Sequence, residues 1–174
     1  MDRSMRQCVG TFLATVAIAV VLRCAYQVAP SAWLGLFAPR NSSVWELSKI
    51  ALWPCVTAVL LYHVGRWERG SLCAYLMVPA ALPAALLFVY WFLRMVCGIC
   101  SGLLDAAVWV CLLAAGDMMA MSLRKTSFMQ RGMFMVCVLL GIWAFVYILF
   151  SLRPADLPLF TQTVPRAAMA VIEW

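Results

Sequence analysis

Charge is what this chain has least of. Only 11% of its 174 residues are Asp, Glu, Lys or Arg, while 66% are hydrophobic; a soluble domain carries about a quarter charged residues. A chain of this length cannot hide so much apolar surface in a water-soluble core, so a lipid bilayer is its natural solvent and partner. Nor is there a basic cluster. The net charge of +6 comes from Lys and Arg scattered in ones and twos between apolar runs, with no recognition motif, which argues against nucleic acid as a partner and turns the charge into topology information. Histidine is limited to His63. Ser42 and Ser43 therefore have too few partners for a Ser-His hydrolase and lack a Gly-x-Ser-x-Gly setting. A metal site at His63 would need Asp117 and a further ligand. Internal repeats are missing too, so an inverted-repeat transporter finds no support. No reaction, cofactor or metal is legible.

What is present is long apolar runs. Their lengths and breakers predict an all-α bundle of five transmembrane helices in one domain, over about 8–29, 44–64, 72–93, 95–121 and 132–152. The first run follows Arg3 and Arg6 as a signal peptide would. Arg23 directly after its core, with no small-x-small cleavage site, favours a retained helix. Residues 30–43 hold Pro30, Gly35 and Pro39 among apolar side chains and suit an interfacial loop. Pro54 should kink the second span, and Pro79 with Pro83 the third. The fifth span looks apolar on every face. Residues 153–174 are too short and too proline-broken to span.

Five spans put the termini on opposite sides. Seven Lys and Arg fall on the N-terminal side and four on the other, leaving out Arg23 and Lys49 as intramembrane. The basic side is the cytoplasmic one, so the expectation is a cell-membrane protein with its N-terminus inside and its C-terminus outside.

The polar residues concentrate at Phe37-Ala-Pro-Arg-Asn-Ser-Ser-Val-Trp-Glu-Leu-Ser-Lys49, the mouth of the second span. Ser42 or Ser43 can cap that helix, with Glu46 in its first turn. At 100° per residue Glu46, Lys49, Trp53 and Thr57 share a stripe. Asp105, read as about ten residues into the fourth span, falls near mid-membrane. Unpaired charges there cost about 2.5–3.5 kcal/mol or more each, so pairing is expected. Arg23, Asn41, Trp45, Glu46, Lys49 and Asp105 are accordingly the candidate binding residues. In one reading they line a polar ligand or transport pocket between the first, second and fourth spans. In the other they are clamps in a non-catalytic structural or accessory membrane subunit.

A third reading takes Cys97-Gly-Ile-Cys100 at the start of the fourth span as a thiol oxidoreductase pair. The shuttling cysteines such chemistry needs are missing from residues 30–43 and from the tail. The same segment offers Gly98-x-x-x-Gly102 as a close-packing face, with Gly116 further along it.

The run from Pro39 to Lys49, with Trp53-Pro54 after it, resembles a family of small bacterial integral membrane proteins, domain-of-unknown-function family six-five-one-two. Its hallmark reads roughly P-V-N-E-S-V-W-E-H-L-K, followed by F-P. Pro39, Asn41, Ser43, Val44, Trp45, Glu46, Lys49 and Pro54 match, whereas Arg40, Ser42, Leu47 and Ser48 depart. Asp105, Tyr26 and the Pro and Leu-Phe of residues 154–160 also resemble family positions. The resemblance implies a helical membrane fold and no known activity.

Overall fold

The apolar runs become five long helices, and two short ones lie in the connections. The structure, a computed structural model, describes residues 3–31, 33–39, 43–63, 69–99 and 101–152. In chain order the elements are α1 (Arg3–Val28), α2 (Leu34–Phe37), α3 (Val44–His63), α4 (Arg69–Met95), α5 (Gly102–Leu123), α6 (Ser127–Arg131) and α7 (Met133–Leu152). Strands are absent among the described residues. The apolar stretches of α1, α3, α4, α5 and α7 run to 24, 19, 26, 22 and 20 residues. At about 1.5 Å per residue each covers the roughly 30 Å of a hydrocarbon layer. This is a multi-pass, all-helical membrane protein. Asn41, Cys100 and the tail from residue 153 lie outside the described residues.

The helices do not share the lipid equally. In α3, 67% of the apolar stretch is buried inside the protein, whereas in α7 the share is 11%. α4 is the hub: it packs on α3, α5, α6 and α7, while α1 lies against α3 and α5. The shared interior is built from small or slim residues of α3 (Ala51, Cys55, Ala58, Val59) and larger ones of α4 and α5 (Tyr75, Leu82, Leu86, Leu113). Small residues on one helix let its neighbours approach closely, which is how helices associate when lipid is as apolar as the side chains.

Proline interrupts the backbone ladder of α4. Pro83 removes the amide that would serve the carbonyl of Pro79. One residue on, the Ala80 carbonyl accepts a 2.9 Å hydrogen bond from the indole N–H of Trp143 on α7. Polar groups in a membrane interior find such partners because the solvent offers none.

One boundary differs from the sequence expectation by seven residues. α4 runs on to Met95, and α5 begins at Gly102 rather than Met95. Between them the chain unwinds: the N–H of Cys97 reaches back to the Phe92 carbonyl and that of Ile99 to the Leu93 carbonyl. Gly98 turns with φ of +67°, a conformation that favours glycine. Residues 95–101 are apolar enough to look like a helix start, and hydropathy cannot see the turn. Cys97 therefore sits exposed in this turn with a free thiol, not on a helix. Gly98 and Gly102 have open space where a side chain would be, so they form no packing face. The close approaches are elsewhere: a Cβ on Gly10 of α1 would run into the Tyr62 ring of α3, and one on Gly116 of α5 would lie 2.9 Å from Val78 of α4.

Candidate functional site

The first turn of α3 carries the polar signature. Ser43 precedes it, and its hydroxyl accepts the Glu46 amide N–H at 3.3 Å. This is an N-cap with Glu at the third helical position, the sequence pattern of a capping box. Glu46 also gains from the positive end of the helix dipole.

From this one turn, side chains leave in two directions. Glu46 and Lys49, three apart, form an ion pair with Nζ 2.7 Å from Oε1 and 2.8 Å from Oε2. The same ammonium donates to the Gly35 carbonyl of α2 at 3.0 Å. Lys49 has no solvent exposure at all. The pair thereby holds α2 against α3. Trp45 and Ser48, also three apart, face α7. The Ser48 hydroxyl donates to the Trp45 carbonyl at 2.7 Å and lies 2.7 Å from the Tyr147 hydroxyl. With its own proton so engaged, Ser48 accepts from Tyr147. Trp45 packs on Tyr147 and Phe150, with ring centroids 4.8 Å and 5.3 Å away. Tyr147 stacks in turn with Trp143. The turn thus ties α2 on one side and α7 on the other.

A second ion pair sits on the α4–α5 connection. Arg94 Nη2 lies 2.8 Å from Asp105 Oδ2, and both side chains are largely buried. Tyr90, one turn before Arg94, donates to the Asp105 backbone carbonyl at 2.8 Å. Asp105 is in the first turn of α5, about 5 Å from its start rather than near mid-membrane. Its partner is Arg94, which the sequence marks only as the end of a span.

The six sequence candidates therefore separate. Trp45, Glu46 and Lys49 are neighbours in one clamp, and Asp105 belongs to the other. Arg23 is exposed on α1, five residues from its end, where a long side chain can reach the membrane surface. Asn41 is outside the described residues. Along the expected stripe, Trp53 packs edge-on against Phe37, but Thr57 is exposed and satisfies itself on the Trp53 carbonyl. The fifth span is not apolar on every face, since Trp143, Tyr147 and Ser151 form a polar-tipped stripe at four-residue spacing. That i, i+4 spacing was the available signal for Tyr147. Ser48 stands at a departure from the family pattern and carried no signal of its own.

Cavities of about 220 Å³ between α4, α5 and α6 and about 290 Å³ between α4, α6 and α7 are lined by apolar residues, Met77 and Met129 in both, away from both clamps.

A family model described as a family of unknown function (DUF6512) matches residues 11–167. The chain belongs to this family. The match takes in α1 from Thr11 onward, the whole of α3, α4, α5 and α7, and both clamps, so the fold described above is that of the family region. No curated protein and no solved structure matches the chain significantly.

Proposed function

We propose that this family member is a non-catalytic structural or accessory protein of the cell membrane, in which the signature residues act as clamps. The N-terminus would be cytoplasmic and the C-terminus outside, as the distribution of Lys and Arg implies. The observation that carries the reading is the fully buried Lys49, which spends its donors on Glu46 and on the Gly35 carbonyl. An ammonium closed onto its own chain in this way holds α2 and is not presented to a ligand. Arg94 and Asp105 close on each other in the same manner. The alternative, a polar ligand or transport pocket between the first, second and fourth spans, would require these pairs to open.

A double-mutant cycle tests the clamp. Glu46→Gln and Lys49→Met each strand a buried partner, whereas the double variant removes both charges. The clamp reading expects each single variant to lower the melting temperature in detergent and the double to recover part of the loss. Singles that melt like the parent protein would overturn it.

A further inference from the structure

Asp117 of α5 is only 2% exposed, and its Oδ2 has no hydrogen-bond partner among the described residues. Neither clamp involves it. The carboxyl is buried in the helix interior, and groups from three other helices lie within reach of its charge: Cys8 of α1, Cys55 of α3 and Tyr75 of α4. Cys55 and Tyr75 are themselves buried. Cys8 is a neighbour of Tyr75, and Cys55 of Thr15 on α1. None of these neighbours carries a positive charge. The described cation whose field reaches the cluster is Arg124, just past α5, which acts on Tyr75 and lies 3.5 Å from the Gln7 side chain.

By position along their helices, Cys55 and Thr15 lie farthest in, Cys8 and Tyr75 are five and six residues from a helix start, and the partly exposed Gln7 and Arg124 mark the end of the bundle. Asp117 is six residues from the last residue of α5, about 9 Å at 1.5 Å per residue. An ionised carboxylate with no counter-charge among the described residues is strongly disfavoured in such surroundings. A metal ion would need more acidic or imidazole ligands, and no group of three His, Cys, Asp or Glu among the described residues could hold one. The ligand that suits a single carboxyl among hydroxyls and thiols is a proton.

We propose that Asp117 is an intramembrane proton-binding site that exchanges with water at the Gln7–Arg124 end of the bundle. On release the Oδ2–H bond breaks, the electron pair stays on the carboxylate and the proton passes to water. Uptake is the reverse, and no oxidant or reductant is involved. Tyr75 and Cys8 line the route. The site is independent of the clamps at the other end of α5.

The test uses the intact protein in detergent micelles and dicyclohexylcarbodiimide, an apolar reagent that needs a protonated carboxyl. The carboxyl proton moves to a carbodiimide nitrogen, the carboxyl oxygen adds to the central carbon, and acyl transfer to nitrogen leaves a stable N-acylurea with no leaving group. Peptide mass spectrometry of the unmutated protein should place the adduct on Asp117 and not on Glu46 or Asp105, which are held as ion pairs. Its yield should fall as pH rises, about tenfold per unit once the acid ionises. Asp117→Asn should lose the adduct. Because the unmutated chain alone localises the adduct, a variant that fails to fold does not blunt the test. Absence of an adduct on Asp117 at every pH where the protein stays folded would overturn the proposal. So would a yield that does not change with pH, which would mean a proton that never leaves.

Discussion

The Ser48 and Tyr147 hydroxyls meet at 2.7 Å across 99 residues of sequence, joining the first turn of α3 to α7. α7 is otherwise the long helix most open to lipid, and this contact, with the rings around it, adds a tie to α3 beside its packing on α4. The Tyr147 hydroxyl is buried with its ring. Replacing Tyr147 by Phe leaves the ring on Trp45 and removes one hydrogen bond, a loss of about 0.5–1.5 kcal/mol. Tyr147→Ala also removes the packing and should cost about 3–5 kcal/mol. Melting temperatures in detergent should rank parent, Phe variant and Ala variant in that order.

The Arg94–Asp105 pair gives a second expectation. Both groups are buried, so Arg94→Met leaves a carboxylate stranded at the start of α5 and should destabilise by about 3–5 kcal/mol. Combining it with Asp105→Asn should recover much of that. Unfolding of the four proteins of the cycle measures the coupling. An additive double variant would show that the pair contributes nothing as a pair.

Glycine substitutions separate the two possible close-packing faces. Gly116→Leu places its side chain against Val78 and should cost about 1–3 kcal/mol by overpacking. Gly102→Leu meets open space and should be tolerated. Expression level and melting temperature of the two variants make the comparison.

The proposed orientation has its own readout. Cys97 is exposed in the α4–α5 turn, which lies outside the cell if the N-terminus is cytoplasmic. A membrane-impermeant maleimide added to intact cells should label the protein, and the Cys97→Ser, Cys100→Ser double variant should lose that label. Labelling that requires permeabilised cells would reverse the topology.

Membrane residence, the number of long helices and the position of four of the five spans were legible without any structure. The physical reason is that a hydrocarbon layer of known thickness demands apolar runs of known length, and composition reports that demand directly. A serine cap, narrowed to Ser42 or Ser43, and the dipole-favoured Glu46 were legible because both are local, within one helical turn. The start of α5 was not, because the residues of the turn at Gly98 are as apolar as a helix. That misplaced start carried Asp105 to mid-membrane and hid its pairing with Arg94.

Which charges meet was decided only by tertiary structure. Arg23, Glu46, Lys49 and Asp105 look like one balanced set in sequence, since opposite charges in an apolar chain must be neutralised. The folding of α2 onto α3, and of α4 back onto α5, brings other partners closer: the Gly35 carbonyl for Lys49 and Arg94 for Asp105. Burial of Asp117 is of the same kind. In sequence it is an acid near a helix end; in the bundle it is buried, and no described residue gives its Oδ2 a donor. Hydropathy acts along the chain and is readable from the chain, whereas the pairing of polar groups acts across it, through helix contacts that no local pattern contains.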